Sequence, residues 1–439
     1  MEFRGRLVLQ SEVREEKLSP SVIKIPTMKI DEKTVTCLRC GKTHLKAEVQ
    51  LQIEAYYCPS CILLGRVQSN HFFYTQEMEK REKILNSCSW QGVLSDGQER
   101  ISKEILIAVE KRETLLVHAV TGAGKTEMLF EGIEHALSIG QAVCIASPRV
   151  DVCVELYPRL KSAFQSVDVC LLYGKGEEEY RNCEIVLCTT HQLLRFYHAF
   201  DVLIIDEIDA FPFVDNAELN YAVTHAKKKD ATLIYLTATP TKKLLDEEKS
   251  KQLRRVILPA RYHRKSLVTP TFVWCNKWEK QVNDGKLPRV LKLKMQELLA
   301  DGFPFLIFVP TIELMKKLVL PIQKAFPKLV FTTVYAEDEK RLEKVQQMRD
   351  GKLQLLITST ILERGVTFAG VSVIVFGANH RVFKSSALVQ ISGRVGRNIQ
   401  RPNGKLYFLH DGRSRAMVEA KKQIVEMNRL AVERGMIDE

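Results

Sequence analysis

The stretch Ala119-Val120-Thr121-Gly122-Ala123-Gly124-Lys125-Thr126 constrains the fold of this chain more than any other. It follows the apolar run Leu115-Leu116-Val117 and precedes a segment in which Met128, Leu129 and Ile133 recur at helical spacing. Strand, glycine-bearing loop and helix in that order put the loop at a helix N-terminus. There the unpaired N–H groups and the helix dipole favour an anion, and glycine lets the backbone approach it closely. Thr121, Gly122, Ala123, Gly124, Lys125 and Thr126 therefore form a candidate cradle for a nucleoside triphosphate. Lys125 is expected to reach the β- and γ-phosphates and the Thr126 hydroxyl to hold Mg²⁺. Ala119 stands where the strict pattern has glycine. A plain glycine turn is the competing reading, and Gly-x-Gly-Lys-Thr directly after a strand disfavours it.

From 115 to 240 apolar runs alternate with helical stretches: Leu115–Val120, Val143–Ser147, Ile185–Thr189, Val202–Ile205 and Thr232–Thr237. That alternation predicts an α/β domain on a mainly parallel sheet. Polar groups sit at the carboxyl ends of these runs, where open α/β sheets bind ligands. They are Ser147-Pro148-Arg149, Thr189-Thr190-His191, Asp206-Glu207-Ile208-Asp209 and Thr237-Ala238-Thr239-Pro240. Two adjacent carboxylates at the end of the apolar strand Val202–Ile205 are costly unless a cation meets them. Nucleotide-bound Mg²⁺ is such a cation, with Asp206 holding the metal and Glu207 activating a water. Gln98 has two readings on spacing alone. It is the third residue of a capping box opened by Ser95, or it reads an adenine edge upstream of the phosphate loop.

A second α/β series follows at Phe305–Val309, Val330–Val334, Leu353–Thr358, Val371–Phe376 and Leu406–Leu409, with no second Gly-Lys-Ser/Thr loop. One nucleotide site and two similar halves suggest that ATP binds the first half and the second completes the site. Arg394 and Arg397, in Gln390-Ile391-Ser392-Gly393-Arg394-Val395-Gly396-Arg397, have the i, i+3 spacing of one helix face. A guanidinium over a transferring phosphoryl group is worth roughly 10³–10⁵ in rate elsewhere. A salt-bridged surface helix is the bland alternative.

Four of the eleven cysteines form Cys37-Leu38-Arg39-Cys40 and Cys58-Pro59-Ser60-Cys61. This spacing matches closed, structural tetrahedral Zn²⁺ sites. The alternation Ala47, Val49, Leu51, Ile53, Ala55 predicts a half-buried strand between the pairs, and His44 is expected at the surface. The other seven cysteines read as single thiols, several of them in apolar strands. Residues 72–90 read as a charged bridging helix, and Pro288 to Ala300 as an amphipathic one. The domain plan expected is 1–90 with the zinc module at 37–61, 91–245 with the ATP site, 246–415, and a helical tail over 416–439.

The net charge of +12 is uneven. Residues 241–300 hold 15 Lys+Arg against 6 Asp+Glu, a balance of 15 − 6 = +9. A polyanion partner, most simply nucleic acid, competes with a solvated linker. The N-terminus lacks an apolar signal region, and no run approaches the roughly 18 apolar residues of a membrane span. A cytoplasmic protein is expected.

The ordered motifs across roughly residues 90–410 resemble those of superfamily 2 (DEAD/DEAH-like) helicases. Residues 119–126 resemble motif I, 147–149 motif Ia, 206–209 motif II and 237–239 motif III. Thr358-Ser359-Thr360 through Glu363-Arg364-Gly365 resembles motif V, and Gln390–Arg397 motif VI. Within that superfamily the four-cysteine module ahead of two compact halves is similar to the ComFA late-competence ATPases. The fold this implies is two tandem RecA-like doubly wound parallel-sheet domains behind a small zinc module. The activity implied is a DNA-dependent ATPase that moves on single-stranded DNA and drives uptake of transforming DNA. The resemblance makes Lys125, Asp206, Glu207, Arg394 and Arg397 catalytic and Gln390 part of the nucleotide site. It makes Pro148, Arg149, Thr189, Thr190, Thr358 and Thr360 nucleic-acid contacts. Implied partners are the uptake channel, other competence proteins and a recombination mediator, at the inner face of the membrane, and an oligomer is compatible. Two rivals are a primosomal replication-restart helicase, whose zinc cysteines follow motif I, and a zinc-dependent scaffold that uses ATP as a switch.

Overall fold

The computed structural model describes residues 2–13, 18–174, 176 and 178–437. By contact density the chain forms two units, Met1–Val117 with Lys125–Val256, and His118–Gly124 with Ile257–Glu439.

The N-terminal module belongs to the first unit. Strands β1 (Val8–Leu9), β2 (Ile23–Pro26), β3 (Met28–Ile30), β4 (Thr34–Cys37), β5 (Thr43–Leu45) and β6 (Phe72–Thr75) make two small antiparallel sheets, ordered β1-β6-β2 and β3-β4-β5. The strand expected over 47–55 is absent. Helix α1 (Lys46–Val49) stands there instead, followed by a tight return closed by Leu51 N to Ala55 O (2.7 Å) and Tyr57 N to Val49 O (3.0 Å). Val49 and Ala55 are buried at the two ends of this return, while Ile53 is exposed at its tip. The alternation therefore reflects a loop with two anchored ends. The helix expected over 72–90 is also absent. Phe72–Thr75 pairs as a strand, and the following segment bonds to its surroundings, with Ile84 N on Leu137 O (3.0 Å) and Ser89 N on Ala163 O (2.7 Å).

The first α/β domain contains helices α2 (Asp96–Lys111), α3 (Phe130–Ser138), α4 (Val150–Ala163), α5 (Ala217–Ala226) and α6 (Lys242–Lys249). Its strands are β7 (Thr114–Ala119), β8 (Val143–Ser147), β9 (Val169–Leu172), β10 (Ile185–Thr189), β11 (Phe200–Asp206), β12 (Lys227–Thr237) and β13 (Arg254–Leu258), in the order β13-β7-β12-β11-β8-β10-β9. The pairs β12-β11, β11-β8, β8-β10 and β10-β9 are parallel. Two of the seven cysteines read as single thiols are joined: β9 and the turn entering β10 bring Cys170 and Cys183 to a Cα separation of 6.2 Å, and they form a disulfide.

The second α/β domain is built from β14 (Thr271–Trp274), β15 (Phe305–Phe308), β16 (Phe331–Val334), β17 (Leu355–Thr358), β18 (Ser372–Phe376) and β19 (Leu406–His410), all paired parallel in the order β14-β19-β18-β15-β17-β16. Around them lie α7 (Trp278–Asn283), α8 (Arg289–Ala300), α9 (Ile312–Ala325), α10 (Arg341–Arg349), α11 (Ser385–Ser392) and α12 (Arg415–Glu433). Alternate residues of each strand enter two different cores. Leu306, Phe308, Val373 and Val375 lie in one, Phe305, Ile307, Ile374 and Phe376 in the other. Burial on both faces explains why these strands read as unbroken apolar runs. The basic stretch 241–300 is not a solvated linker: it supplies α6, β13, β14, α7 and α8.

Helix α5 docks the module on the first domain. Glu218 accepts from Ser60 Oγ (3.1 Å) and pairs with Lys42 Nζ (3.1 Å), and Tyr221 Oη donates to Leu38 O (3.3 Å). Gly41 has φ +73° and lies against the Tyr221 ring, where a Cβ would come within 2.3 Å of ring carbon. Both cysteine pairs thus lean on one helix, and their four sulfurs share a core with Ile205, Ile208 and Phe213. Tyr221→Ala should lower stability by about 1–3 kcal/mol and speed tryptic cleavage within residues 1–75, as seen by limited proteolysis with mass spectrometry.

Candidate active site and four-cysteine centre

Gly122 and Gly124 follow β7 with φ of +79° and +72°, left-handed conformations that side chains disfavour. Thr121, Ala123 and Thr126 are buried. Lys125 Nζ lies 3.2 Å from Asp206 Oδ1, with side-chain exposures of 19% and 11%. Burial works against the Lys125 ammonium, but Asp206, Glu207 and Asp209 outweigh it and hold its pKa above the ordinary lysine value. A raised lysine pKa stabilises the fold below the unfolded value near 10.4 and loses that effect only as pH climbs through the folded value. The site therefore keeps its cation at neutral pH.

Asp206 closes β11, and its Oδ1 also accepts from Glu207 N (2.9 Å). Glu207 has φ +55°, a left-handed backbone that costs a non-glycine residue energy. This turn swings the glutamate side chain off the line of the strand. Asp209 is buried and accepts from Thr237 Oγ1 (2.6 Å) and from Thr239 Oγ1, while Thr239 N donates to Thr237 Oγ1 (2.9 Å). The carboxylate run and the end of β12 are thereby one hydrogen-bonded unit. Sequence reasoning gave Asp209 no role. Two threonines flanking Ala238 at a strand end, facing a carboxylate one strand away, were the available signal.

Gln98 sits at the third position of α2 in a complete capping box. Its Oε1 accepts from Ser95 N (2.9 Å) and Ser95 Oγ (3.0 Å), and its own N–H donates to Ser95 Oγ (3.4 Å). Ser147 and Thr189 pair in register across β8 and β10, so Pro148, Arg149 and Thr190 leave the same carboxyl end of the sheet. Thr189, Thr190 and Thr358 are buried, whereas Arg149 and Thr360 present part of their surface.

In the second domain α11 ends at Ser392, so Arg394 and Arg397 occupy the following turn and not a helix face. Gln390 and Arg394 are buried. Arg397 Nε donates to Gly393 O (3.0 Å) and its Nη1 to Thr367 Oγ1 (3.2 Å). The turn is held by a residue that spacing did not single out. Arg261 donates to Gly393 O (3.1 Å) and Val395 O (2.8 Å), beside His263 Nε2 on Gly396 O (3.0 Å). Burial, reinforced by Arg397, pushes Arg261 down to about 9. Nothing in the local sequence marks it, because its carbonyl partners lie more than a hundred residues away.

The sulfurs of Cys37, Cys40, Cys58 and Cys61 all lie within 4.8 Å of one another and are buried. The Cys37–Cys61 and Cys40–Cys58 sulfurs are 3.8 and 3.6 Å apart. Tetrahedral ligands at ~2.3 Å from a Zn²⁺ ion stand about 3.8 Å from each other, so the four thiols fit that ion. His44, expected at the surface, is half-buried with Nε2 3.6 Å from Cys58 Sγ. Hydrogen bonds from Cys37, Cys40 and Cys61 pull the Cys58 thiol well below its ordinary value, and His44 adds to the pull.

The DEAD/DEAH box helicase family model matches residues 95–247, and the helicase conserved C-terminal domain model matches 286–399. Competence protein ComFA of Bacillus subtilis (strain 168) is 44% identical over 415 residues, covering 92% of this chain and 88% of its own. This chain belongs to the ComFA family. ComFA of Streptococcus pneumoniae (strain R6) is 42% identical over 433 residues, 98% of this chain and 99% of its own. Among solved structures, S. cerevisiae Dbp5 bound to RNA and ADP BeF3 aligns with TM-score 0.56 at 13% identity, covering 76% of this chain and 91% of that one, a likeness of fold alone. The family makes this chain an ATP-hydrolysing, nucleic-acid-binding superfamily 2 enzyme of competence, using ATP and Mg²⁺. No helix among the described residues is long and apolar enough to cross a membrane. Asp209→Ala should destabilise the first domain by about 2–3 kcal/mol, because both threonine hydroxyls lose a charged acceptor. Thermal unfolding checks this, and Thr237→Ala on top of Asp209→Ala should add little.

Proposed function

We propose that this protein is an ATP-driven motor that moves along single-stranded DNA and draws transforming DNA inward at the inner face of the cell membrane. The observation that carries the reading is the Lys125–Asp206–Glu207 constellation in a chain that matches ComFA proteins along nearly its whole length. Loop N–H groups and Lys125 would hold the triphosphate, and Thr126 and Asp206 the Mg²⁺. The metal ion, when bound, supplies charge neutralisation across the phosphates. Glu207, turned off the strand by its left-handed backbone, orients the attacking water and takes its proton. Arg394 and Arg397 supply cationic groups for charge developing on the transferred phosphoryl. Gln390 joins the nucleotide site, and Gln98 serves first as the cap of α2. Pro148, Arg149, Thr189, Thr190, Thr358 and Thr360 mark the strand ends along which the DNA backbone runs. Backbone contact brings weak sequence preference and strong salt dependence, about 0.7 counterions released per phosphate on single strands.

The four cysteines would hold a structural Zn²⁺ ion, whose role would be to fix the module and not to take part in hydrolysis. The uptake channel, other competence proteins and a recombination mediator are the expected partners.

Lys125→Ala and Glu207→Gln should abolish ATP turnover while retaining the fold and most DNA binding. Turnover is measured with and without oligodeoxythymidylate. Wild-type rates in both variants would discard the assigned site, and stimulation of the wild type by RNA alone would discard the DNA motor. An absence of any stimulation would favour a scaffold that uses ATP as a switch. The purified chain should carry about one zinc by elemental analysis, and Cys37→Ser should release it.

A further inference from the structure

A cleft on the second domain lies outside every helicase motif named for this chain. It is open, of about 690 Å³, between the edge strand β14 and helix α12. Its lining includes Phe272, Val418, Arg413, Lys421 and Lys422 and no acidic residue. Among the described residues none of these three cations makes an ion pair, although surface ion pairs are frequent elsewhere in the chain. Three acids nearby have other partners. Glu426 and Glu433 of α12 pair with Arg429, and Asp411 accepts from Trp278 Nε1 (3.0 Å) and Asn379 Nδ2 (2.9 Å). With three cations and no acid in its lining the cleft is positive, although Lys422 also acts on Glu426 one turn along α12.

Its floor is aromatic. The Phe272 ring stacks on Phe408 at 5.8 Å and carries Lys421 Nζ at 5.2 Å and Arg413 Cζ at 5.8 Å. His410 stands edge-on to both Phe272 (5.9 Å) and Trp274 (5.7 Å), so a row of rings leads from the cleft to the carboxyl end of β14. Trp274 ends that row with 59% of its surface in solvent. It pairs in register with His410, which places it at the sheet end where α/β folds bind ligands.

Cations in a groove, followed by an exposed planar ring, are the two elements by which proteins hold single-stranded nucleic acid without reading sequence. We propose that this cleft is a second single-strand site, with phosphates over Arg413, Lys421 and Lys422 and a base stacked on Trp274. It rests on the single-strand reading above and extends it to surface that the helicase motifs do not include. An acidic peptide would satisfy the cations but leaves the bare indole without use.

The test uses the full chain. Affinity for fluorescent oligodeoxythymidylate is measured by anisotropy over a series of salt concentrations, for the wild type, for Arg413→Glu/Lys421→Glu/Lys422→Glu, and for Trp274→Ala. The charge variant should weaken binding at least tenfold at low salt and flatten the log–log salt slope by about 2, three phosphates at 0.7 each. Trp274→Ala should weaken binding about tenfold with the slope unchanged, the signature of lost stacking. A control reversal at the end of α9 and in the turn after it, Lys324→Glu/Lys328→Glu, should change the slope little, and ATP turnover without DNA should match the wild type in all variants. If the wild type binds and both cleft variants bind equally well with the same slope, the cleft is not a DNA site and the motor reading stands. If the charge variant loses polyglutamate binding but keeps the oligonucleotide, the site takes acidic peptide and the proposal falls. If the wild type binds no single strand, both readings fall.

Discussion

A carboxylate at the end of an all-apolar strand is unstable alone, because a charge removed from water must find a counter-charge or a set of hydrogen bonds. Asp206 meets that requirement with the Lys125 ammonium and the Glu207 N–H. Asp209 meets it with the two hydroxyls at the end of β12. The phosphate loop, the end of β11 and the end of β12 are each held in place by those demands. A buried lysine paired with a carboxylate is also a site ready for an anion and a metal ion. In the proposed ATP-bound state phosphate would take over the ammonium and Mg²⁺ the carboxylate, with no new charge left bare.

The four-cysteine module enters the same framework through α5. Glu218 and Tyr221, one turn apart, engage both cysteine pairs, and Gly41 allows the knuckle to lie flat on the Tyr221 ring. The strand ending in Asp206 and the helix that holds the module are separated by only ten residues of chain, Glu207–Asn216. Ile205, Ile208 and Phe213 share one apolar cluster with the cysteine sulfurs. The module is therefore packed on the first domain as part of its core.

Much of this was legible in the sequence. The strands Val143–Ser147 and Ile185–Thr189 have the bounds expected from their apolar runs, since a strand buried on both faces leaves no polar residue inside it. The cysteine spacing likewise announced four converging sulfurs. The errors fell where local pattern and long-range pairing disagreed. Ala47–Ala55 alternates like a strand but has no neighbouring strand to pair with, and Phe72–Thr75 reads as the start of a helix until β1 and β2 flank it. Cys170 and Cys183 look like isolated thiols until two parallel strands bring them together.

What the sequence determined by itself was the inventory: a phosphate loop between strand and helix, carboxylates at a strand end, two C-x-x-C pairs and two α/β halves. The loop, the carboxylates and each single C-x-x-C pair are encoded within about ten residues, and each half by a succession of such short segments, by spacing that backbone geometry turns directly into position. Only the tertiary structure decided that Asp209 ties to β12, that Arg261 holds the turn bearing Arg394 and Arg397, and that three cations and an exposed tryptophan share one edge of the second domain. Those pairings join residues far apart along the chain, and no local periodicity records which distant side chain will fill a buried partner's empty hydrogen bond.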